Sequence, residues 1–213
     1  MKYREAMRTR VKVCGLTRPQ DARKAAELGA DAIGLVFYPA SPRCIEIEQA
    51  CKIVAEITPF VSVVALFVNA QKQQVESVLR EVRVDILQFH GDEDEAYCMS
   101  FARPYIKAIS VKSRSQTVTS ATLYASAKAL LLDRFDKEKK GGTGKLFDWG
   151  MIPGELEKPV ILAGGLTPEN VVKAIKQIRP YAVDVSSGVE SSPGIKDAEK
   201  MRLFMRNVAE MGS

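Results

Sequence analysis

The sequence predicts an α/β fold, a single (β/α)8 barrel of the TIM-barrel class, on three observations. Eight short apolar runs recur along the chain, about every 20 to 30 residues. Most of them are continuous rather than alternating, which is typical of parallel strands that are buried on both faces. Helical patterns lie between the runs, and no linker rich in proline, glycine or serine divides the chain. Eight βα units within 213 residues favour a closed barrel.

The eight apolar runs are the expected strands. In chain order they cover Val11–Gly15, Asp31–Phe37, Val61–Val68, Asp85–Phe89, Tyr105–Ser110, Ala129–Asp133, Pro159–Ala163 and Ala182–Ser186. Between them, apolar residues follow the i, i+3, i+4, i+7 spacing of a helix face that packs on a core. The clearest of these stripes lie within residues 47–57, 75–82, 171–178 and 201–208. Thr17 with Gln20 resembles a capping box, which predicts that Thr17 caps the first helix.

An open, doubly wound sheet is the alternative arrangement of the same units. Such a sheet carries a glycine-rich dinucleotide-binding turn after its first strand. Here the first turn reads Cys14-Gly15-Leu16-Thr17, which lacks that glycine pattern. The closed barrel is therefore the favoured prediction, and we expect catalytic residues at the carboxyl ends of its strands.

The composition is that of an ordinary globular protein, with 46% apolar and 27% charged residues. No apolar run reaches the roughly 20 residues that span a bilayer. The basic start of the chain is not followed by the apolar stretch of a secretory signal. We therefore expect a cytoplasmic protein without a membrane partner. We also expect one domain over residues 1–213, in which residues 1–10 form a short basic N-terminal extension.

Charge and cysteine usage restrict the classes of partner. The net charge of +5 is spread along the chain without an aromatic-basic motif, which argues against nucleic acid and suits a small anionic substrate. The cysteines form no CxxC pair, and a single histidine is present, so we expect no metal site and free thiols. The four cysteines are Cys14, Cys44, Cys51 and Cys98.

Six polar or reactive residues lie where the expected strands end, or in the loops that follow. They are Cys14 after the first strand, Arg43 after the second, Gln88 and His90 at the fourth, Asp133 at the sixth and Asp184 at the eighth. Each also has a structural interpretation. Cys14 is compatible with a small buried core residue, Asp133 with a helix cap, and Asp184 with a residue that holds a loop.

Two small-residue turns follow the last two strands. Gly164 and Gly165 come after the seventh strand, and Ser186, Ser187 and Gly188 come after the eighth. Either turn alone is compatible with an ordinary tight turn. Together they favour a phosphate site, because backbone N–H groups after strands seven and eight of a barrel commonly bind phosphate.

A glycine-rich cationic segment covers residues 139–145, after the sixth strand. Its composition suits a lid that closes over a bound substrate. The segment lacks the GxxxxGK[ST] spacing of a nucleotide-binding P-loop, so a nucleotide is not expected there.

With these motifs the chain resembles the phosphoribosylanthranilate isomerase family of tryptophan biosynthesis. The resemblance extends from Val11 to Val208 and depends on seven segments that occur in the family's order. They are KVCGLT at 12–17, GLVFYP at 34–39 with Ser41 and Arg43, QFHG at 88–91, LLD at 131–133, GGTGKLFDW at 141–149, AGGLTPENV at 163–171 and VDVSSGVE at 183–190.

The resemblance implies an Amadori rearrangement of N-(5-phosphoribosyl)anthranilate to 1-(2-carboxyphenylamino)-1-deoxyribulose 5-phosphate. It implies Cys14 as general base, Asp133 as general acid and Arg43 opposite the anthranilate carboxylate, with the phosphate held by the two turns. Gln88, His90 and Asp184 are the further substrate-binding candidates. No cofactor is expected, and the chain is expected to be a monomer or a homodimer.

Proton transfer by this pair requires unusual protonation states. At pH 7 an unperturbed cysteine is about 3% thiolate and an unperturbed aspartate about 0.1% protonated. We expect the site to compensate by burying Asp133 and by placing positive charge near Cys14. Lys12 is the candidate cation, because strand alternation places it on the inward face about 6.6 Å from Cys14. Alternatively, Lys12 pairs with a carboxylate inside the barrel.

Other functions fit the same barrel less well. Lys12 inside the barrel would suit a Schiff-base aldolase, and a barrel that binds phosphate without turnover is a non-catalytic alternative. A metal-dependent epimerase usually needs more than one histidine. The related isomerase of histidine biosynthesis has an aspartate where Cys14 stands. Two residues depart from the family's pattern, Arg134 after the acid and Cys44 after the arginine.

Overall fold

The computed structural model describes residues 8–134, 149–154 and 156–211, and its centre is a closed barrel of eight parallel strands. The strands are β1 Arg10–Cys14, β2 Ala32–Val36, β3 Ser62–Phe67, β4 Ile86–Phe89, β5 Tyr105–Val111, β6 Ala129–Arg134, β7 Val160–Leu162 and β8 Ala182–Val185. They follow one another in chain order, and β8 pairs with β1. All eight predicted strands are confirmed, each within one residue at either end.

Within the described residues, seven helices surround the barrel. They are α1 Pro19–Glu27, α2 Ile47–Ala55, α3 Lys72–Glu81, α4 Glu95–Met99, α5 Arg114–Leu123, α6 Val171–Ile178 and α7 Ala198–Ala209. Between β6 and β7 the described residues contain only a 3₁₀ turn, Trp149–Met151. The predicted lid at 139–145 lies outside the described residues. None of the helices in the described ranges is long and apolar enough to cross a bilayer.

The strands are mostly apolar because each is buried on both faces. Their outward residues join the core under the helices, whereas alternate residues fill the inside of the barrel. The lower part of this interior contains Ile106, Ala108, Ala129, Leu131, Ile161, Ala163 and Ala182. Nearer the carboxyl ends, a separate small cluster is formed by Cys14, Val36 and Leu66. The strand alternation therefore directs Cys14 into the end of the barrel where a site is expected.

A short hairpin that the sequence analysis missed follows β8. Its strands are β9 Glu190–Ser192 and β10 Ile195–Lys196. The hydroxyl of Thr17 donates to the carbonyl oxygen of Gly194 in the hairpin turn at 2.6 Å. The prediction that Thr17 caps α1 is wrong, because the cap position is Arg18 and it makes no side-chain cap hydrogen bond. The hydroxyl instead fastens the hairpin to the loop after β1.

The start of the described chain belongs to the barrel. Arg10 is the first residue of β1. Both terminal nitrogens of Arg8 donate to the carboxylate of Asp31, at 2.9 and 2.6 Å. Asp31 also accepts from the backbone N–H of Val11 at 2.8 Å. Arg8 and Arg10, at the end of the expected extension, therefore contribute to the edge of the fold.

A buried ion pair joins the loops at the carboxyl ends of β3 and β4 to β5. Lys107 points outward from β5, and its Nζ donates to Glu93 Oε2 at 2.8 Å and to the carbonyl of Gly91 at 2.7 Å. The carboxylate of Glu93 accepts from the backbone N–H groups of Asn69 and Gly91. Both charged side chains are almost fully buried. The network fixes the loop that begins at His90.

Replacing Lys107 by methionine is expected to lower the free energy of unfolding by about 3–5 kcal/mol, because the carboxylate of Glu93 then stays buried without its cation. Urea denaturation followed by circular dichroism measures this loss. Arg202→Met is the matched control, since its partner Glu199 lies in an exposed pair on α7, and the unfolding midpoint should not move. An unchanged midpoint for Lys107→Met would contradict the importance of the buried pair.

Candidate active site

One side of the site is built on β1, which turns Lys12 and Cys14 toward the barrel interior. The side chain of Lys12 is only 4% exposed, and its Nζ donates to Asp184 Oδ1 at 2.8 Å. Strand register places these two residues directly opposite each other, because Lys12 pairs with Asp184 across β1 and β8. Lys12 therefore pairs with a barrel carboxylate, which is one of the two expectations, and its charge also acts on the nearby thiol of Cys14.

Gly34 on β2 makes room for this arrangement. A Cβ atom at this position would lie 2.6 Å from Cys14 Sγ and 3.1 Å from Lys12 Nζ. The first distance is shorter than atoms at van der Waals contact allow. Glycine at this position therefore lets the thiol and the ammonium share one small space. Sequence analysis placed Gly34 in a family segment but assigned it no role.

Burial and neighbouring charges have opposing effects on the pKa values of Cys14 and Lys12. Burial raises the pKa of the Cys14 thiol, Lys12 lowers it and the charge of Asp184 raises it; the net effect is upward. Lys12 therefore acts in the expected direction, but burial outweighs it. Burial disfavours the ammonium of Lys12, yet Asp184 and Cys14 together raise its pKa above the ordinary value. A protonated Lys12 is a poor amine nucleophile, which argues against a Schiff-base aldolase.

The opposite side of the site contains Asp133 and His90. Asp133 lies near the end of β6, and its Oδ2 is 3.2 Å from His90 Nε2. Its Oδ1 accepts from the backbone N–H of Arg134 at 2.7 Å. The side chain of Asp133 is 18% exposed, so it is less buried than the sequence analysis expected. The structure thus brings together the candidate acid and the chain's single histidine.

Gln88 lies behind this pair rather than at the open end of the site. It points into the barrel from β4 and has no exposed surface. Its Nε2 is 3.1 Å from Nδ1 of His90. Gln88 was expected to contact the substrate, and the structure places His90 between Gln88 and the proposed acid.

Arg43 is held by a carboxylate that sequence analysis did not select. Its Nε and Nη2 donate to the two oxygens of Glu190 at 2.8 and 2.6 Å. Lys196 also donates to Glu190, at 2.8 Å, and to the carbonyl of Ser186 at 3.1 Å. Burial opposes ionisation of Glu190, but the two cations hold its pKa below the ordinary value. Two cations against one carboxylate leave an excess positive charge beside the turn after β8.

The two small-residue turns pack directly against each other. Gly164 and Gly165 have φ values of +83° and +75°, a left-handed conformation that favours glycine. A Cβ atom on Gly188 would overlap the carbonyl oxygen of Leu166. The side chain of Asn170 donates to the carbonyl of Gly165 at 2.9 Å and so fixes the first turn. The five predicted residues, Gly164, Gly165, Ser186, Ser187 and Gly188, thus lie in two adjoining turns.

The remaining residues of interest have simpler surroundings. All four cysteines carry free thiols. Cys44 is half-buried, and its backbone forms an isolated bridge to Val36. Within the described ranges, no group of three or more histidine, cysteine, aspartate or glutamate side chains is arranged to hold a metal ion. Glu190, Gly34 and Asn170 lie inside the segments of the family resemblance, whereas no sequence signal marked Lys196.

A closed (β/α)8 barrel with a thiol, a carboxyl and two small-residue turns at the carboxyl ends of its strands has the features of the class of (β/α)8-barrel enzymes. A model of the N-(5′-phosphoribosyl)anthranilate (PRA) isomerase family matches residues 11–207, and the chain belongs to this family. The family consists of aldose–ketose isomerases of tryptophan biosynthesis.

Individual relatives agree with this assignment. The N-(5′-phosphoribosyl)anthranilate isomerase of Nitrosococcus oceani is 56% identical over 202 residues, which cover 95% of this chain and 98% of that protein. The crystal structure of the Thermotoga maritima enzyme is 39% identical, with a TM-score of 0.87, over 95% of this chain and 99% of that one. A second structure, of a phosphoribosylanthranilate isomerase that is 37% identical with a TM-score of 0.81 and the same coverage, contains reduced 1-(o-carboxyphenylamino)-1-deoxyribulose 5-phosphate.

Gly34→Ala is expected to lower kcat/KM by about 100-fold, because the added methyl group displaces the thiol and the ammonium by a large fraction of an ångström. Steady-state assay of PRA consumption measures the effect, and thermal unfolding shows whether the barrel is intact. Gly154→Ala is the matched control, because a Cβ atom there meets nothing within 4 Å. Wild-type kinetics in a folded Gly34→Ala protein would show that the shared space is unimportant.

Proposed function

We propose that Cys14 and Asp133 perform the two proton transfers by which the chain converts PRA to 1-(2-carboxyphenylamino)-1-deoxyribulose 5-phosphate. One structural observation supports the roles of Cys14 as base and Asp133 as acid. The turns after β7 and β8 lie between the ends of β6 and β1 in the closed barrel. A phosphate bound at these turns would place the ribose between Asp133 and Cys14.

The proposed chemistry needs one acid and one base. Protonated Asp133 gives its proton to the furanose ring oxygen as the C1′–O bond breaks, and the nitrogen lone pair forms an iminium. The thiolate of Cys14 then removes the C2′ proton, and the electron pair of the C–H bond neutralises the iminium as an enolamine. The enolamine tautomerises to the ketone. Asp133 has lost one proton and Cys14 has gained one, and exchange with solvent resets both.

The two anionic groups of the substrate have complementary sites in this proposal. The five residues of the two turns offer backbone N–H groups and the hydroxyls of Ser186 and Ser187 to the phosphate. Arg43 faces the anthranilate carboxylate. Glu190 uses two of the arginine's donor groups, and among the described residues Nη1 makes no hydrogen bond. Glu190 therefore orients the guanidinium and leaves one end of it for the substrate.

His90 and Asp184 complete the substrate site in this proposal. His90 lies beside the acid, and Asp184 keeps Lys12 in place beneath the base. Gln88 is within reach of the substrate only through His90. The reaction as proposed uses no cofactor and no metal.

The proposal also includes the domain organisation, the binding partner, the location and the oligomeric state of the enzyme. We take residues 1–213 as one barrel domain, with residues 1–10 as a short basic N-terminal extension whose end enters β1. The partner is a small anionic phosphosugar, not a nucleic acid or a membrane, and the location is cytoplasmic. A monomer or a homodimer is proposed, and the solved structures similar to this chain include monomers generated from the dimeric enzyme of Thermotoga maritima.

Cys14→Ala and Asp133→Asn are each expected to reduce kcat by about 10²- to 10⁴-fold, because each removes a group that transfers a proton. The fluorescence of PRA measures its consumption. Cys51→Ala is the control, since Cys51 is exposed on α2 and should retain full activity. Full activity in either site variant would contradict the role given to that residue, and an inactive parent protein would contradict the reaction.

Lys12→Met is expected to move the titration of the Cys14 thiol to higher pH. The ammonium favours the thiolate and lowers the pKa of the thiol, so its removal raises that pKa and leaves less base at neutral pH. Asp184→Asn should move the same curve to lower pH, because the charge of Asp184 raises that pKa. Thiolate absorbance, measured against Cys14→Ser in the same background, follows the titration. An unmoved curve in Lys12→Met would exclude Lys12 as the activating cation.

A further inference from the structure

Gln88 has an unusual position beside the proposed acid. It is fully buried, and its Nε2 lies 3.1 Å from Nδ1 of His90. Its Oε1 is also buried and has no hydrogen-bond partner among the described residues. A buried acceptor without a partner is unfavourable. An apolar side chain of similar length would avoid this cost, so the amide has a use other than packing.

The contact with Gln88 determines which nitrogen of His90 carries a hydrogen. A neutral imidazole has one N–H and one bare nitrogen. When Nε2 of Gln88 donates to Nδ1, that nitrogen is bare, and the hydrogen of neutral His90 lies on its own Nε2. This atom faces Asp133 Oδ2 at 3.2 Å. Oδ1 accepts from the N–H of Arg134, so each oxygen of Asp133 has an N–H group beside it, an arrangement that suits a carboxylate.

A half-turn of the Gln88 amide about its terminal bond reverses this arrangement. Oε1 then faces Nδ1 and accepts a hydrogen bond from it, which requires a proton on Nδ1. The neutral ring then has a bare Nε2, and a proton taken from solvent is held between His90 Nε2 and Asp133 Oδ2. The pair of His90 and Asp133 then holds one proton more than before. A general acid needs this additional proton before it meets the ring oxygen.

We propose that Gln88 is a positioning residue for the acid step, whose amide acts through His90 to select between the unloaded and the proton-loaded state of Asp133. The inference rests on the proposed role of Asp133. The pair takes one proton from solvent as Oε1 turns toward Nδ1, and it gives one proton to the substrate as Nε2 turns back. Only O–H and N–H bonds form and break in this relay.

The charged groups around His90 and Asp133 cannot reverse the direction of a hydrogen bond as the neutral amide of Gln88 can. Asp184 from β8 is within electrostatic range of both Asp133 and His90. Its carboxylate is held by Lys12 from β1 at 2.8 Å, and that bond has a fixed donor and a fixed acceptor. Arg134 follows Asp133 directly, and its backbone N–H also donates in one direction only. The amide of Gln88 is the neutral group beside His90 that both donates and accepts.

The tautomer of His90 tests the inference directly. His90 is the one histidine of the chain, so its two imidazole ¹⁵N resonances are unambiguous in untagged protein. The free wild-type enzyme at neutral pH should show a bare Nδ1 and a protonated Nε2. In Gln88→Glu the new carboxylate only accepts, so Nδ1 should carry the proton. In Gln88→Met no amide opposes a proton on Nδ1, so the fraction of the Nδ1–H tautomer should rise above that of the wild type.

Kinetics provide the second measurement. Gln88→Met and Gln88→Glu should each reduce kcat by about tenfold or more, below the roughly 10²- to 10⁴-fold effect of losing the acid itself. KM should change by less than about threefold, because the amide does not touch substrate. Gln74→Met is the matched control, since Gln74 is an exposed amide that donates to the carbonyl of Phe37, and neither spectrum nor rate should change.

Several results would overturn the inference. They are a protonated Nδ1 with a bare Nε2 in the free wild type, an unprotonated Nδ1 in Gln88→Glu, and an unchanged His90 spectrum or kcat in Gln88→Met. Methionine removes the unpartnered acceptor, so this variant should unfold at the same or a higher temperature; if it does not fold, the other two proteins decide. The spectra are recorded on protein without substrate, so they report the tautomer of His90 independently of activity. An inactive parent protein would contradict the proposed function, but the tautomer measurement would still test the effect of Gln88 on His90.

Discussion

The ion pair between Lys12 and Asp184 is the interaction on which the rest of the structure depends. It crosses the seam where the last strand of the barrel meets the first, and strand register places the two residues opposite each other. A one-residue slip at this seam would turn both charges away from each other and drive apolar side chains to the wrong face. Separating two buried charges is far more costly than losing an apolar contact. The pair therefore specifies how the barrel closes, and closure in turn defines the mouth at which all the candidate site residues meet.

The same pair links the fold to the chemistry, because its ammonium lowers the pKa of the Cys14 thiol. Burial in the barrel makes a thiolate unfavourable, and Lys12 partly offsets this burial, while Asp184 works against it. Opposing charges therefore act on the Cys14 thiol, and a small movement of Lys12 would change the protonation of that thiol. On the other side of the mouth, Asp133 is less buried and is reached through His90 and Gln88. The two proton-transfer groups thus have different surroundings, one dominated by charge and burial and the other by hydrogen bonds whose direction can be reversed.

Prediction from sequence was strong for the fold and uneven for the site. Strand periodicity located all eight strands because a parallel strand buried on both faces leaves an apolar run that needs no tertiary information. The rule that catalytic residues lie at the carboxyl ends of barrel strands selected Cys14, Asp133 and Asp184 as candidates from their position alone. The hairpin after β8 was missed because its strands are two and three residues long and are held by contacts with Thr17 and Asp21 rather than by their own pattern. Thr17 was misassigned as a cap for the same reason.

The sequence by itself determined the strands, the helix faces, the family and the residue types that can move protons, because these follow from local periodicity and ordered motifs. Only the tertiary structure decided the partners of those residues. It paired Arg43 with Glu190 across 147 positions of the chain and Lys12 with Asp184 across 172. It also buried Gln88 behind His90 instead of exposing it to substrate. Such pairings depend on closure of the barrel, which brings distant strand ends within hydrogen-bond distance, and no local pattern encodes which donor then meets which acceptor.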